Sequence, residues 1–458
     1  MVNSTTSPLD QMRPVNEVAR KPRVLVLCFD GTSKNITIRC NTNVIKLYSL
    51  LKKDKEEDQL CYYQAGIGTY IQPGVVSPLF RLGARILDMA IAWYLYQHVM
   101  DGYKFLMQIT TLATGFACFS RGAYTARALA GMLHKVGLLS RDNVEQVPFA
   151  YKIYESSKPE DVALAEGFKA TFGRPVPIEF LGVWDTVASV GLIVNKTLPF
   201  VNVNTTIKTF RQALSLDEHR VKFRPSFYNR SVPRQPVSRA LKTDGSNQTQ
   251  RNEGEEKIQP IDSLSWKDEI YATNEKEVWF VGSHDDVGGG AVPNAELYAL
   301  SNIPLRWMIR EIISADCGIN FDEEAFPRWN LPIPETLGQQ LDHNPNPSAN
   351  DHGAKTDSKN GTESSRDELQ DAPDVIQPIS DALITSPIWW LLEIIPTPFT
   401  YLNSQNEWVT YWSIHLGRGR WVPPEPLFHN SVKVRMNDPK LRYKPRALYK
   451  KGTEKYVP

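Results

Sequence analysis

The chain has 458 residues, of which 41% are hydrophobic, and its 52 lysines and arginines nearly balance its 51 acidic residues. Such a chain can bury a large core and exceeds the usual length of a single domain, while a net charge of +1 gives no electrostatic reason to expect a nucleic-acid partner. The five cysteines include no CxxC pair, which favours reduced thiols and a cytoplasmic protein over a disulfide framework or a zinc site.

Residues 1–22 are predicted to form a flexible leader, and they contain no apolar run typical of a signal peptide. Two later stretches, 86–100 and 386–402, resemble membrane spans in composition. The first is short and contains an aspartate and a histidine, and the second is interrupted by Glu393 and two prolines. Neither is therefore predicted to cross a bilayer.

Strands and helices are predicted to alternate along residues 23–335. The run RVLVLCFDGT (23–32) has the pattern of a buried parallel strand that enters a tight loop, and NTNVIKLYSLL has helical spacing. Further strands are predicted in QLCYYQAGIGTY, TTLATGFACFS, PIEFLGVWDTVASVG and KEVWFVGSHDDVGGG, with helices at 84–107 and from Arg121 onward. This alternation predicts βαβ units and a doubly wound, mostly parallel sheet of the α/β class.

Polar segments divide the chain further. Residues 23–335 are predicted to form a catalytic domain that contains a polar insertion at about 232–262. Residues 336–378 are predicted to be a disordered linker, because they are polar and poor in apolar residues. The segment 379–458, rich in tryptophan and proline, is predicted to pack on the catalytic domain.

The sequence CFSRGAYTARALAGML (118–133) places Ser120 between an apolar run and a helix-forming run. A nucleophile elbow has the pattern G-x-S-x-G because the turn from strand to helix leaves no room for large neighbours. Gly122 provides the second glycine, but Cys118 replaces the first. Taken alone, the stretch favours a nucleophile over the alternative, an ordinary helix with an N-cap serine.

An α/β hydrolase needs an acid and then a histidine after its serine. Asp185 follows the apolar run IEFLGVW, at a strand-to-loop position that suits a triad acid. His284 follows the strand EVWFVGS, on a loop at the carboxyl edge of the predicted sheet, where sites gather in this architecture. His219, within SLDEHR, is expected in a helical, charged and exposed setting. Three residue types in this order favour a serine activated by an imidazole.

Two motifs suggest different chemistry. FDGT is similar to the motif of haloacid-dehalogenase phosphatases, but Cys28 occupies the place of their nucleophilic aspartate. DDVGGG has the composition of a phosphate cradle or of carboxylate metal ligands, yet no lysine or helix signature follows it. Adjacent carboxylates are more often loop or capping residues, so no metal and no cofactor are expected. The alternative to an enzyme is a protein of another functional class, namely a catalytically silent scaffold or interaction protein with the same fold.

Several segments occur together in the order typical of one family: VLCFDGTSKN, YYQAGIGTY, FSRGAYTARALAGML, FLGVWDTVASVG, ALSLDEHR and WFVGSHDDVGGG. Over roughly residues 23–315 the chain resembles the α/β-hydrolase family that includes the type VI secretion phospholipase effectors, and its tail resembles fungal members. The resemblance implies a triad of Ser120, Asp185 and His284 that hydrolyses carboxylic esters of lipids or phospholipids. The family has glycine at the position of Cys118, which raises the question of strain at the elbow.

For such an enzyme, the oxyanion hole is expected from the backbone N–H of Arg121 and from the loop after the first strand, which contains Asp30, Gly31 and Thr32. The expected partner is a lipid or another ester, without nucleic acid. The segment 387–395 (PIWWLLEII) has the tryptophans and aliphatic residues of a membrane-interface segment, which predicts peripheral contact with membranes. The competing interpretation is that it covers the hydrolase core.

Overall fold

The computed structural model describes residues 23–32, 34, 36–66, 95–108, 113–187, 198–228, 272–334, 369–402 and 408–458. The predicted leader, the polar insertion at 232–262, most of the predicted linker and the first part of the predicted helix at 84–107 lie outside these residues. Within the described residues, no helix combines the length and the apolar character that crossing a bilayer requires.

The strands are β1 (Val24–Phe29), β2 (Gln59–Gln64), β3 (Ala113–Phe119), β4 (Ile178–Trp184), β5 (Ile207–Ser215), β6 (Asn274–Phe280), β7 (Thr397–Leu402), β8 (Trp408–Ser413), β9 (Leu427–His429) and β10 (Lys455–Val457). Eight of them form one sheet in the order β2-β1-β3-β4-β5-β6-β9-β10, in which all neighbours are parallel. Strands β7 and β8 pair antiparallel in a separate hairpin. The predicted doubly wound, mostly parallel α/β sheet is confirmed.

The helices are α1 (Asn43–Leu50), α2 (95–107), α3 (Ser120–Val136), α4 (Val147–Glu155), α5 (Pro159–Phe172), α6 (His284–Gly288), α7 (Asn302–Ser314), α8 (369–375), α9 (Ala382–Thr385), α10 (Trp390–Glu393) and α11 (Asn430–Asn437). Helices α2 to α5 pack on one face of the sheet, and α1 and α7 pack on the other.

Burial on both faces explains why the first strand is a continuous apolar run. Alternate side chains of β1 point to opposite faces, so that Leu25 and Leu27 join the core beneath α3, while Val24 and Val26 join the core beneath α7. A strand that is covered on both sides has no face left for polar residues.

The strand order creates a crevice at the carboxyl edge of the sheet. From β1 the chain crosses to β2 on one side and later to β3 on the other, so the order reverses between β1 and β3. In open α/β sheets, ligands bind outside the carboxyl ends of the strands at this reversal. In the register of the sheet, Phe119 at the end of β3 pairs with Trp184 at the end of β4, so Ser120 and Asp185 follow at one level.

The C-terminal part of the chain continues the main sheet. Strand β9 pairs with β6, and β10 pairs with β9, in the same parallel sense. Residues 369–375, within the predicted linker, form α8, and two carboxylates from this helix, Asp371 and Asp374, bind Arg306 of α7. The segment after residue 368 is thus bound to the sheet through hydrogen-bonded strands and buried ion pairs.

Candidate active site

Ser120 lies at a sharp turn between β3 and α3. It is buried and has a φ of 56°, in the left-handed region that non-glycine residues rarely adopt. Two residues later, a Cβ on Gly122 would lie 2.2 Å from the carbonyl oxygen of Phe29 and 2.5 Å from that of Asp30. The helix therefore passes directly against the end of β1, and only glycine fits there. These features are those of a nucleophile elbow.

Cys118 occupies an ordinary strand position rather than the strained turn. It pairs in register with Phe29 of β1 and Val183 of β4, and its side chain is fully buried beneath α3. Burial raises the pKa of its thiol, so it stays protonated and packs as a small apolar group. The positive φ falls on Ser120, and the sheet accommodates a cysteine where the family has glycine.

Asp185 and His284 form a buried pair at the carboxyl edge of the sheet. Asp185 follows β4 with a φ of 44°, and its Oδ2 lies 2.5 Å from Nδ1 of His284. The backbone N–H of Ser215, at the end of β5, donates to Oδ1 of Asp185 at 3.0 Å. Because the ionised Asp185 carboxylate can only accept, its contact with Nδ1 assigns the Nδ1–H tautomer to His284 and leaves Nε2 as the basic nitrogen.

Arg420 binds the same carboxylate. Its Nη1 lies 2.6 Å from Oδ1 of Asp185, and its Nη2 lies 2.8 Å from Oδ2. Burial opposes ionisation of Asp185, but the Arg420 guanidinium and the hydrogen bond from His284 outweigh it and hold the pKa of the carboxyl well below its usual range. The carboxylate is therefore ionised at every physiological pH. Sequence patterns did not reveal this residue.

The loop after β5 fixes the loop that carries His284. Oε2 of Glu218 accepts the backbone N–H of His284 at 3.2 Å and a hydrogen bond from the Arg220 guanidinium at 2.7 Å. Oδ2 of the preceding Asp217 accepts the N–H of Gly282 at 2.8 Å. Two buried carboxylates from SLDEHR thus bind the backbone on either side of Ser283.

The expectation of a helical, exposed His219 is wrong. The first residue of SLDEHR, Ser215, ends β5, the rest of the stretch is a loop, and the His219 side chain is largely buried. Its Nε2 lies 2.9 Å from Oδ1 of Asp381, and its Nδ1 lies 3.0 Å from the carbonyl oxygen of Gly417. The charges that suggested a solvent-exposed helix are instead satisfied by one another and by the C-terminal segment. His219 is a structural link to that segment.

The carboxylates of DDVGGG have structural partners. Asp286 closes a capping box with Ser283 at the start of α6, and its Oδ2 also accepts the N–H of Ser380. Burial raises the pKa of Asp286 to about 6, although these hydrogen bonds oppose the shift. Asp285 forms a partly exposed ion pair of 3.2 Å with Lys34. In the described part of the chain, no group of three or more histidine, cysteine, aspartate or glutamate side chains has the geometry of a metal site.

Asp30 organises the predicted oxyanion loop. Its Oδ1 accepts the N–H of Gly31 at 2.8 Å, and its Oδ2 accepts hydroxyls from Thr42 at 3.0 Å and Tyr63 at 2.9 Å. Burial raises the pKa of Asp30 to about 6, against the effect of these donors. The Gly31 N–H is thus engaged within the loop. Arg121, the other predicted contributor, lies in the first turn of α3 directly after Ser120.

An aromatic cluster connects His284 to the segment 387–395. The ring of Phe223 lies 4.8 Å from the His284 ring and 5.5 Å from Trp389, measured between centroids. The Arg220 guanidinium lies over the Phe223 ring, 3.5 Å from its centroid. Trp389 is half-buried in this contact, so the first tryptophan of the pair packs against the wall of the site.

Glu393 holds the same segment in place. Its carboxylate is buried, with Oε2 2.5 Å from Nδ1 of His415 and Oε1 accepting the N–H of Val221 at 2.6 Å. Oε2 also accepts the N–H of Gly417 at 2.9 Å. Burial opposes ionisation, but these donors together lower the pKa of Glu393. The Glu393 carboxylate, which interrupts the apolar run PIWWLLEII, therefore binds this segment to its neighbours through buried hydrogen bonds.

A parallel sheet with a strained serine elbow at the reversal of strand order, and a buried acid–histidine pair beyond it, defines a protein of the α/β-hydrolase class. Residues 23–311 match the sequence model of the family described as "T6SS, Phospholipase effector Tle1-like, catalytic domain", and the chain belongs to this family.

Among curated proteins, the chain is 28% identical to the uncharacterised protein YEL023C of Saccharomyces cerevisiae, over 92% of this chain and 80% of that protein. Two solved structures are also similar. One is an uncharacterised protein from Pseudomonas aeruginosa (19% identity, TM-score 0.34, covering 69% of this chain and 48% of that one). The other is the Tle1 effector bound to the VgrG spike of the type 6 secretion system (18% identity, TM-score 0.30, covering 64% and 56%). The chain thus spans about half the length of each of these solved chains.

Proposed function

We propose that the protein is a serine hydrolase that cleaves carboxylic esters of lipids or phospholipids, with Ser120 as nucleophile, His284 as base and Asp185 as the acid that orients it. The observation that carries the proposal is the buried contact of 2.5 Å between Asp185 and His284, at the sheet edge where Ser120 occupies a strained elbow. Membership of a family of phospholipase effector catalytic domains supports a lipid substrate.

In the proposed reaction, Nε2 of His284 takes the proton of Ser120 while Oγ attacks the ester carbonyl carbon. The imidazolium returns the proton to the leaving alcohol as the ester C–O bond breaks. Water, activated by the same imidazole, then hydrolyses the acyl-enzyme and releases the fatty acid and free Ser120. Asp185 stays ionised throughout, because its pKa lies far below the working pH, and it stabilises the imidazolium.

The oxyanion is proposed to accept hydrogen bonds from two backbone N–H groups. One is that of Arg121, in the positive first turn of the 17-residue helix α3. Because the Gly31 N–H already donates to Asp30, the N–H of Thr32 is the stronger candidate for the second. Loss of one such donor costs about 10²–10³ in kcat in serine hydrolases.

The proposed lipid substrate requires contact with a membrane or another lipid aggregate. Apolar side chains of 387–395 and of the nearby loop after β8 are exposed and suit this contact, namely Trp390, Leu391, Ile394, Ile395 and Leu416. The same segment reaches the wall of the site through Trp389. Its exposed side would therefore hold the entrance of the site near the lipid surface.

Labelling by a fluorophosphonate tests the nucleophile. We expect the wild-type protein to react covalently and Ser120→Ala to lose both labelling and ester hydrolysis, while its melting temperature stays unchanged because only one hydroxyl is removed. Ser140→Ala is the matched control, since Ser140 is exposed and outside the site. Labelling that persists in Ser120→Ala would place the nucleophile elsewhere, and a wild-type protein that neither labels nor hydrolyses esters would be a silent scaffold.

A further inference from the structure

We propose that Arg420 is a positioning residue that fixes the Asp185 carboxylate against His284, so that the C-terminal segment completes the active site. The inference rests on the proposed hydrolase function. It adds a fourth residue to the triad, and it gives the segment after the catalytic domain a defined chemical role.

The geometry of the contact is that of a fork. Two parallel N–H···O bonds, of 2.6 and 2.8 Å, join the guanidinium to both oxygens of Asp185. Such bidentate pairs fix the orientation of the carboxylate as well as its charge, which a lysine cannot do. Oδ2 of Asp185 also binds Nδ1 of His284. By fixing the plane of the carboxylate, Arg420 therefore fixes the orientation in which the carboxylate holds the imidazole.

The guanidinium is itself held by the protein. Its Nε donates to the carbonyl oxygen of Phe223 at 3.1 Å, and its Nη1 donates to that of Ser215 at 3.1 Å. The Arg420 backbone carbonyl accepts the N–H of Leu448 at 2.7 Å. The side chain is buried, so neither end of the contact is free to reorient in water. Ser215 is the last residue of β5, and Phe223, on the loop that follows, contacts the His284 ring.

The four acceptor positions of the carboxylate are all used. Oδ1 accepts from the Ser215 N–H and from Arg420, and Oδ2 accepts from His284 and from Arg420. A carboxylate has about four lone-pair positions, so removal of Arg420 empties half of them inside a buried site. An Asp185 carboxylate without this support is expected to rotate and to release the imidazole from its productive orientation.

Arg420 also sets the electrostatic balance around the base. The charged groups near His284 include Asp185 on the loop after β4, Glu218 and Arg220 on the loop after β5, Asp285 on α6, and Arg420. Arg220 is bound to Glu218, and Arg420 is the cation in direct contact with Asp185. Its loss leaves the charge of Asp185 without its bound partner inside a buried site.

The test compares Arg420→Gln and Arg420→Lys with Arg306→Gln in the full-length protein. Arg306 is the matched control because it is equally buried and binds two carboxylates on α8, away from the triad. For Arg420→Gln we expect kcat on a soluble ester to fall by about 10²-fold, the usual cost of a misplaced catalytic group. Its KM should stay near the wild-type value, because no group that would bind the ester is changed. Arg420→Lys keeps the charge but loses the two-pronged contact, so its kcat should also fall at an unchanged KM.

Arg306→Gln should lower the melting temperature while the folded protein keeps the wild-type kcat and KM. The proposal is overturned if Arg420→Gln and Arg306→Gln lose stability and kcat to the same extent, or if Arg420→Gln keeps wild-type kcat. If Arg420→Gln does not fold, a double-mutant cycle of Arg420→Lys and Asp185→Asn replaces it. If Arg420→Lys no longer lowers kcat once Asp185 is replaced by Asn, Arg420 acts through Asp185. If the two losses of kcat multiply fully, the proposal is contradicted. A wild-type protein without activity would instead refute the proposed function.

Discussion

At the scale of single residues, two acids hold the proposed base through different atoms. Asp185 binds the ring at Nδ1, and Glu218 binds the backbone N–H of the same residue. The first contact fixes the tautomer, and the second fixes the position of the loop that carries His284. A base held at both its ring and its backbone loses little entropy when it forms the reactive geometry.

The histidines give a direct test of this assignment. We expect His284→Ala to reduce turnover by several orders of magnitude, and Asp185→Asn to reduce it by roughly 10⁴-fold, since an acid that sets the tautomer is essential to the base. His219→Ala, the matched control, removes contacts with Asp381 and Gly417 and should cost about 1–2 kcal/mol of stability while the folded protein stays active. Kinetics and thermal unfolding of the three variants separate these effects. Loss of activity in His219→Ala but not in His284→Ala would reject the assignment.

Sequence alone predicts the residues at the ends of strands better than their distant partners. Ser120, Asp185 and His284 each follow an apolar run, and parallel strands bring their carboxyl ends to one edge. Arg420 is 235 residues away from Asp185 in the chain and lies in GRGRW, which has no periodicity or motif that indicates a buried guanidinium. The exposed position expected for His219 is wrong for a related reason, because a charged stretch looks exposed unless the pairs that neutralise it are known.

At the scale of elements, the elbow depends on the contact between α3 and the end of β1. Gly122 brings the helix backbone within reach of the Phe29 and Asp30 carbonyl oxygens, and Asp30 in turn shapes the loop after β1. The serine and the predicted oxyanion loop are therefore parts of one packing arrangement. The glycine in the sequence pattern predicted a turn without room for large neighbours, whereas no sequence pattern indicated the strand β5.

A pair of glycine substitutions tests that contact. Gly122→Ala places a Cβ 2.2 Å from the Phe29 carbonyl oxygen, so we expect it to lose about 1–3 kcal/mol of stability and most of its esterase activity. Gly167→Ala, within helix α5, is the control, because a Cβ there meets no atom within 4 Å apart from its chain neighbours and the backbone of its own helix. It should be neutral or stabilising by about 0.5–1 kcal/mol and fully active. Denaturant unfolding and ester hydrolysis of both variants provide the measurement. A stable and active Gly122→Ala would mean that the elbow does not need this close approach.

At the scale of the whole molecule, the C-terminal segment is built into the sheet and the site. It adds β9 and β10 to the sheet edge, places Arg420 on Asp185, and brings Trp389 to the aromatic wall beside His284. Composition predicted a segment that packs on the catalytic domain, but composition carries no information on strand pairing or on single ion pairs. Three-residue strands such as β9 are too short to show a period.

The exposed side of 387–395 is where contact with a lipid surface can be tested separately from packing. Trp389 packs on Phe223, so its replacement should impair the hydrolysis of every substrate. The side chains of Leu391 and Ile394, by contrast, are 54% and 56% exposed. We expect Leu391→Ser with Ile394→Ser to leave hydrolysis of a soluble short-chain ester and the melting temperature unchanged. Hydrolysis of phospholipid vesicles should fall about tenfold, because partial burial of two such side chains in acyl chains contributes about 1–3 kcal/mol.

Leu297→Ser is the control for that experiment, since Leu297 is 59% exposed but lies before α7. Its vesicle activity should match that of the wild type. Equal losses on both substrates with a lower melting temperature would mean that Leu391 and Ile394 stabilise the core. Unchanged vesicle activity would mean that lipid reaches Ser120 by another face. A selective loss requires the segment to act at the lipid surface, because the same triad hydrolyses the soluble ester at an undiminished rate.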